Sequence, residues 1–368
     1  MSTPTEEALG RIRGDEPARN HNARTISALT TNPGCNRRAV MDAAGIDKSR
    51  LASHVGFPAQ FGQSQFAITR GNVFEAQVKA DGCAELLTLL RERLGLALPE
   101  VSYDDLELVG GNTSHEVRHA RTKTLLARAA AGSDDAGTLF DHPLLRLSVG
   151  GRDVYLEPDL IAFQWKGQFH VVEIKSFPVI DGQADGEKVA AAAIQSAVYV
   201  HAMRALLADH GFPPDVVADN VVLVCPKDFS NRPTATFVDV RKQLTVLRRQ
   251  LSRLTRIDAL LSLLPPTLSL SVTRPAAAVV SDLRLIEARY MPECLDTCEL
   301  ARFCRDESRG CTRVMGRTVS EDLGGVETVQ TALGLARGRL PASPEQEDAA
   351  ALLRLAWSLR VECLGGVA

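Results

Sequence analysis

The 368-residue sequence lacks several features that would assign it to a familiar class of protein. No stretch approaches 18 uncharged apolar residues, so we expect no transmembrane helix. The first 22 residues are polar and contain no apolar core, which argues against a secretory signal. No G-x4-G-K-[ST] loop occurs, so we expect no P-loop motor. These absences predict a cytoplasmic protein that has no membrane partner.

Aromatic residues and lysine are also scarce, at 5% of the chain and 8 residues respectively. The hydrophobic fraction of 45% is ordinary for a folded protein, which excludes wholesale disorder. The formal net charge of −3 is close to zero, so charge alone neither supports nor excludes nucleic-acid binding.

Cysteine, in contrast, is abundant for a chain expected in a reducing compartment, where disulfides are rare. The eight cysteines are Cys35, Cys83, Cys225, Cys294, Cys298, Cys304, Cys311 and Cys363. Four of them fall within residues 294–311, and such clustering indicates a metal site. Thiolates at this spacing can hold an iron–sulfur cluster or zinc. Cys83, Cys225 and Cys363 are scattered, and we expect them to be buried apolar residues.

Hydrophobic periodicity predicts a mixed α/β core. We predict helices over 25–30, 35–44, 70–98, 114–131, 188–210, 244–264 and most of 320–365. We predict strands over 145–149, 154–162, 169–174, 221–225 and 236–240. Residues 1–24 are predicted to form a mobile polar arm, and 132–137 and 177–187 to form loops.

The central chemical signal is a carboxylate on each of two neighbouring predicted strands, Asp159 and Glu173. Strand alternation places Glu173 and Lys175 on one face, with Ile174 on the other. Two carboxylates that converge at strand ends, together with a backbone carbonyl, can bind Mg²⁺ or Mn²⁺. Such a metal lowers the pKa of a bound water and neutralises a phosphodiester, and Lys175 can orient that water. Taken alone, these residues are also compatible with an ordinary hairpin that has a solvated Glu–Lys face.

Two helices carry further candidates. Gln195 and Tyr199 are four residues apart and share one face of the predicted helix 188–210. Glu75, near the start of the predicted helix 70–98, offers another carboxylate. Each can also be an ordinary residue of a solvated helix edge.

The order and spacing of these motifs resemble the PD-(D/E)XK nucleases of the RecB-like group, close to the CRISPR-associated iron–sulfur exonucleases and the AddB nuclease domain. The matching residues are Gly71 to Glu75 for the first-helix motif, Pro158-Asp159 for the PD element, Glu173-Ile174-Lys175 for the ExK element, and Gln195 with Tyr199 for the Q-x3-Y motif. The first-helix motif more often ends in His, and Glu75 stands in that place. The resemblance covers residues 25–312 and leaves the C-terminal helices unexplained.

The resemblance implies an α/β fold with a restriction-endonuclease-like core, a mixed sheet flanked by helices, and a helical iron–sulfur lobe. It divides the chain into an N-terminal arm and helix (1–69), a nuclease core (70–243), a helical segment with the cysteine cluster (244–312) and C-terminal helices (313–368). It implies metal-dependent hydrolysis of DNA, exonucleolytic on single-stranded or frayed ends. Repair, CRISPR adaptation and phage defence are the candidate settings, with DNA, and a helicase or another repair or defence protein, as partners.

The resemblance also implies residue roles. Catalysis would use Asp159, Glu173, Lys175, Gln195 and Tyr199. Mg²⁺ or Mn²⁺ would be bound by Glu75, Asp159, Glu173 and the carbonyl of Ile174. Lys175 would assist the attacking water, while Gln195 and Tyr199 would position the DNA backbone or steady the lysine.

In the iron–sulfur members of this group, one early cysteine joins three late cysteines to hold a [4Fe–4S] cluster. Cys35 resembles the early element, and Cys298 and Cys304 match the late C-x5-C spacing. Cys294 is the third late ligand, although its C-x3-C spacing departs from the usual C-x2-C and leaves Cys311 as a rival. Zinc is the alternative metal. The cluster would hold the N-terminal segment to the C-terminal lobe, closing a long loop.

Three patterns support other interpretations. A DNA-binding or scaffold subunit could keep the fold without cutting DNA. His115-Glu116 and His119 form a literal HExxH, the zinc-protease motif, although their polar surroundings favour a surface helix. A basic group near the helix 244–264 either contacts the DNA backbone or is simply solvated; its members are Arg241, Lys242, Arg248, Arg249, Arg253 and Arg256.

Overall fold

The computed structural model describes residues 3–19, 21, 23–59, 65–95, 101–106, 114–132, 137–156, 160–165, 167–228 and 230–365. The chain divides into two compact units. We call Met1–Glu16, Gly34–Phe61 and Leu264–Ala368 the helical unit, and Pro17–Pro33 with Gly62–Leu263 the sheet unit. Each unit therefore combines segments that are distant in the sequence, whereas the predicted boundaries at 69, 243 and 312 cut the chain into consecutive blocks.

The described residues form α-helices in both units, and the strands lie in the sheet unit. The helices are α1 (Pro4–Arg13), α2 (Ala23–Thr31), α3 (Asn36–Ala43), α4 (Lys48–His54), α5 (Gln65–Leu94), α6 (His115–Ala131), α7 (Gly186–Ala208), α8 (Arg241–Leu251), α9 (Ile257–Ser262), α10 (Ala276–Leu285), α11 (Cys294–Thr297), α12 (Ala301–Glu307), α13 (Arg317–Asp322), α14 (Val329–Ala336) and α15 (Glu347–Gly365). The strands are β1 (Val101–Asp105), β2 (Gly137–Asp141), β3 (Leu145–Val149), β4 (Arg152–Leu156), β5 (Leu160–Trp165), β6 (Gln168–Ile174), β7 (Asn220–Pro226) and β8 (Pro233–Asp239).

Six strands form one mixed sheet in the order β1-β2-β5-β6-β7-β8. β2, β5 and β6 are antiparallel neighbours, β7 runs parallel to β6 after the crossover helix α7, and β8 is antiparallel to β7. β3 and β4 form a separate two-stranded hairpin. Its turn, Gly150-Gly151, has φ of 57° and 81°, the left-handed backbone that a tight hairpin turn requires. The predicted α/β class is therefore confirmed.

Helices cover both faces of the sheet. On one face, Phe74 and Val78 of α5 pack against Val172 of β6 and Val222 of β7. On the other face, Leu223 and Cys225 of β7 pack with Ala192 of α7. Neighbouring residues of β7 thus enter different clusters, as the period-two alternation of a strand requires. β7 is buried on both faces, which explains its uninterrupted apolar sequence.

α7 is the most apolar long helix of the described residues. By length and composition it could cross a membrane, but 56% of its most apolar window is buried within the protein. A core helix that packs on a sheet has this composition for the same reason, since most of its circumference is removed from water.

The predicted mobile arm over residues 1–24 is wrong, because much of it is helical. Thr3 and Glu6 form a reciprocal capping box at the start of α1. Leu9 and Ile12 of α1 are 2% and 4% exposed, and the carbonyl of Ile12 accepts a hydrogen bond from the amide of Leu270. The sequence did not predict this helix because only two apolar residues mark its buried face and many of their neighbours are charged.

Two predicted elements are divided in the structure. The predicted helix 244–264 becomes α8 and α9, because Arg256 has an extended backbone with ψ of 137°. The predicted strand 154–162 becomes β4 and β5, which belong to different sheets. α5 is also interrupted: Asp81 and Cys83 have φ of 52° and 64°, which is not helical. Apolar periodicity does not register such local breaks, since the apolar positions continue on both sides.

Three histidines of the sheet unit predict how stability depends on pH. The pKa values of His119, His170 and His201 are lowered, chiefly by burial, which disfavours the charged imidazole. The unfolded chain therefore binds these protons near pH 6.5, whereas the folded chain binds them only at lower pH. Their stabilisation is complete above pH 6.5 and is lost as the pH falls through the folded-state values, by up to about 1.4 kcal/mol per pH unit for each histidine.

Urea unfolding of His170→Gln between pH 7 and pH 5 checks this. The variant should show a shallower fall in the free energy of unfolding than the wild type, even if it is less stable throughout. Parallel curves for the two proteins would contradict the assignment of His170 as a buried neutral imidazole.

Candidate functional site

The first half of α5 passes close to the end of β6. A Cβ atom added to Gly71 would lie 3.6 Å from the Oγ atom of Ser176, which directly follows the Glu173-Ile174-Lys175 segment. Phe74, three residues along α5, packs in the same cluster as Val172 and Ile174. Gly71 to Glu75 and the end of β6 are therefore neighbours in space, although about a hundred residues separate them in sequence.

Glu173 and Lys175 form an ion pair at the end of β6. The Nζ atom of Lys175 lies 2.5 Å from an Oε atom of Glu173, whose residue is only 1% exposed. Val172 and Ile174 lie in the α5 cluster, so the predicted alternation of faces is confirmed. The amide of Lys175 donates to the carbonyl of Val224 and extends the pairing of β6 with β7. A buried carboxylate and an ammonium group are thus fixed at one strand end.

Gln195 and Tyr199 lie on α7, the helix that covers the Glu173 face of the sheet. Glu173 pairs with Leu223, and Leu223 packs against the α7 cluster, so both point to this face. Tyr199 is 3% exposed, and Gln195 is half-buried. Both predicted residues therefore lie on the helix that packs against the Glu173 face of the sheet.

The opposite face of the sheet carries a second ion-pair network that the sequence did not predict. Lys79 lies 2.8 Å from an Oε atom of Glu75 and 2.9 Å from an Oδ atom of Asp141 at the end of β2. Burial opposes the charge of Lys79, but the hydrogen bond to Glu75 and the charge of Asp141 outweigh it and raise the pKa of Lys79. Glu75, predicted as a metal ligand, is thus paired with an ammonium group in this structure.

Asp141 has further partners. The hydroxyl of Tyr103 donates to its second Oδ atom at 2.8 Å, and the Nδ1 atom of His142 lies 3.2 Å from the first. Burial and the neighbouring Asp141 raise the pKa of Tyr103, so the phenol remains protonated and a donor. The i, i+4 spacing of Glu75 and Lys79 was a usable signal in the sequence. No comparable local signal pointed to Asp141, because its partners come from separate elements.

Asp159, the first predicted catalytic carboxylate, lies outside the described residues, as does Pro158. The strand that follows begins with Leu160, which pairs with Glu173. In the next strand pair, Asp141 is opposite Ile161. Asp141, the beginning of β5 and Glu173 therefore lie at one end of the sheet.

The helical unit gathers the predicted cluster cysteines. Cys35 precedes α3, Cys294 begins α11, Cys298 follows α11 and Cys304 lies in α12. Cys35, Cys294 and Cys304 are buried. Burial raises the pKa of Cys304 to about 12, and the positive charge of Arg37 opposes this rise. Among the described residues, no group of three or more His, Cys, Asp or Glu side chains is arranged so that it could hold a metal ion.

The remaining cysteines differ from these four. Cys311 is exposed, and its backbone pairs with that of Thr328 as an isolated antiparallel β-bridge. Cys83 and Cys225 are buried in the apolar clusters of the sheet unit, as predicted. Cys363 is exposed on α15, so its predicted burial is wrong. α15 continues there as an exposed helix, which places Cys363 in solvent.

Two buried arginines contact the cysteine group. Arg37 is 2% exposed, and its Nη1 atom donates to the Sγ atom of Cys304 at 3.2 Å. Arg38 is 4% exposed, and its positive charge opposes the burial that raises the pKa of the Cys298 thiol. The donor chemistry here, four thiols of which Cys304 accepts a hydrogen bond from a buried guanidinium, suits a cluster that carries negative charge.

The HExxH residues lie in the first turn of α6, in agreement with the surface helix that we expected. The Nδ1 atom of His119 lies 2.9 Å from the carbonyl oxygen of Leu144. The rings of His115 and His119 both pack on Tyr155, at centroid distances of 5.3 and 5.7 Å. Glu116 is exposed. These contacts give the two rings a packing role.

We compared the chain with known proteins by sequence and by structure. Neither the protein-family models, nor the curated proteins, nor the solved structures contain a match to the chain.

The Asp141 network predicts a large effect on stability. Asp141→Ala leaves the half-buried ammonium of Lys79 with one partner fewer and removes the acceptor of Tyr103. Because Glu75 still pairs with Lys79, the expected loss is about 1–3 kcal/mol, the cost of leaving a buried polar group without its partner. Asp153→Ala is the control, since the pair of Asp153 with Arg146 is solvent-exposed and contributes about 0–1 kcal/mol. Urea denaturation of both variants measures the difference, and equal losses would show that the network is not stabilising.

Proposed function

We propose that the chain is a metal-dependent deoxyribonuclease with a PD-(D/E)XK core and an iron–sulfur cluster. The observation that carries this proposal is the Glu173–Lys175 pair, held at a strand end beside the α5 motif and beneath the helix of Gln195 and Tyr199. The motifs are short, and their convergence at one end of one sheet is what distinguishes them from chance matches. The setting that we propose is a reducing cytoplasm.

The order of elements supports the same core. α5 is followed by the antiparallel strands β2, β5 and β6, then by the crossover helix α7 and the parallel strand β7. The motif order of the resembled nucleases is helix, hairpin, Q-x3-Y helix and strand. In this chain β1, α6 and the β3–β4 hairpin are additions to that order.

The residues at this end of the sheet suit phosphodiester hydrolysis. Glu173 is a buried carboxylate paired with Lys175 and offers a hard oxygen donor of the type that Mg²⁺ and Mn²⁺ prefer, and Asp159 would be the second donor. The bound ion would supply Lewis-acid activation of water and of the phosphate. Lys175 holds a positive charge where the attacking water and the developing phosphorane charge would be placed. Gln195 and Tyr199 would orient the DNA backbone or Lys175.

The exposed basic residues near α8 supply a possible path for DNA. Arg248, Arg249 and Arg253 project from the exposed side of α8 and its C-terminal extension, whereas Leu244 and Leu247 face inward. Arg241 and Arg256 are paired with Asp239 and Asp258, which reduces the free positive charge at the two ends. The partner of this surface would be the phosphate backbone of single-stranded or frayed DNA.

A nuclease assay tests the proposal. Purified full-length protein is incubated with end-labelled single-stranded and frayed DNA in Mn²⁺, and Lys175→Ala is compared with Lys188→Ala. Loss of the Lys175 charge should reduce the rate about 10²–10³-fold, the usual effect of removing one preorganised electrostatic group. Lys188 is exposed and pairs with Asp185 in the first turn of α7, so its variant should cut at the wild-type rate.

Two outcomes would overturn parts of this proposal. Cleavage that is unchanged in Lys175→Ala would place the active site elsewhere. Binding of labelled DNA by the wild type without any cleavage in Mg²⁺ or Mn²⁺ would favour the alternative function, a non-cutting scaffold subunit.

The cysteine group predicts a cluster that can be seen directly. Protein purified without oxygen should be brown and contain iron and sulfide, and Cys35→Ala should lose both. Cys363→Ala is the matched control, because Cys363 is exposed on α15 and lies outside the cysteine group. Colourless protein that holds one zinc ion would replace the iron–sulfur assignment with a zinc site.

The same measurement decides the third late ligand. Cys294 is 9% exposed, whereas Cys311 is exposed. Iron content should therefore fall in Cys294→Ala and be retained in Cys311→Ala. The reverse result would make Cys311 the ligand.

A further inference from the structure

Arg37 has an unusual environment for an arginine. Its Nε atom donates to the carbonyl of Ile286 at 3.2 Å, and its Nη atoms form a two-point contact with Glu307 at 2.6 and 3.2 Å. Its guanidinium lies over the ring of Phe303, 5.4 Å from the centroid. These contacts hold the guanidinium in the orientation from which its Nη1 atom donates to the Cys304 sulfur.

Arg38 is held by a parallel set of contacts. Its Nε atom donates to Asp42 at 2.6 Å, and its Nη1 atom donates to the carbonyl of Thr297 at 3.0 Å. Asp42 also binds the ammonium of Lys48 at 2.6 Å. Arg38 is thereby kept beside Cys298, with Glu299 at 3.6 Å as a second carboxylate.

Folding stability alone does not explain two buried arginines at two sulfurs. Burying a guanidinium is costly, and an ion pair in the interior often contributes no more than apolar residues of the same volume. Donors to metal-bound sulfur have a specific chemical effect, however, because they stabilise the more negative charge state of an iron–sulfur cluster. Arginine is suited to this role because its charge is permanent.

We propose that Arg37 and Arg38 are positioning residues that set the reduction potential of the cluster through Cys304 and Cys298. This inference rests on the proposed iron–sulfur site and goes beyond its structural role. One-electron reduction places additional negative charge on the sulfurs, and the fixed guanidinium groups stabilise that charge. The two arginines would therefore raise the reduction potential of the cluster, in addition to holding α3 against residues 286–307.

The test is a redox titration of the intact, anaerobically purified protein, followed by electron paramagnetic resonance. Arg37→Gln removes a charge and a donor and leaves Glu307 without its partner, so all three changes disfavour the reduced state. The equilibrium constant for reduction should fall at least tenfold, which is about 59 mV in a one-electron couple. Arg309→Gln is the control, because the side chain of Arg309 is 83% exposed and pairs with Asp306 in solvent.

Arg37→Lys keeps the charge without the planar fork, and its potential should lie between those of the wild type and Arg37→Gln. Arg38→Gln should shift the potential in the same direction as Arg37→Gln. If Arg37→Gln does not retain iron, Arg37→Lys and Arg38→Gln decide the question, and wild-type potentials in both would overturn the proposal. If the protein is brown but the variants have the wild-type reduction potential, this inference is contradicted and the cluster is not. If the protein contains no iron, both the cluster and this inference are contradicted.

Discussion

Burial of the central strands on both faces is the constraint on which the sheet unit depends. α5 covers one face of β6 and β7 and α7 covers the other, so there is little room for charge along these strands. Charged side chains therefore collect where strands end, and they must be paired there because an isolated buried charge is costly. Glu173 with Lys175 and Asp141 with Lys79 both follow this rule. The candidate site is thus placed by the packing of the sheet.

The helical unit is subject to a different constraint, because it packs early segments of the chain against a late one. α3 is connected to residues 286–307 by Arg37 and Arg38, whose guanidinium groups reach backbone carbonyls, carboxylates and, from Arg37, the sulfur of Cys304. Closing a loop of more than 200 residues costs entropy that grows only slowly with length, so a few strong contacts can offset it. A single arginine side chain can make several of these contacts because its planar guanidinium group has five N–H donors.

Features that depend on local periodicity could be predicted from the sequence. The alternation of Val172, Glu173 and Ile174 follows from the period of a strand, and the helix 114–131 follows from its apolar spacing. Prediction failed where distant elements decide the outcome. α1 is stabilised by packing within the helical unit, and β2 is a strand because β1 and β5 pair with it. Neither the packing of α1 nor the pairing of β2 could be inferred from residues that are nearby in the sequence.

The sequence by itself determined which side chains are available: the Glu173-Ile174-Lys175 segment, the Gln195 and Tyr199 pair, and the spacing of the late cysteines. Only the tertiary structure decided which groups meet. It paired Glu75 with Lys79, gave Asp141 three partners, and aimed Arg37 at Cys304. The reason is physical. Spacing along a strand or helix is set by backbone geometry over a few residues, whereas contacts across the core depend on how every element packs at once.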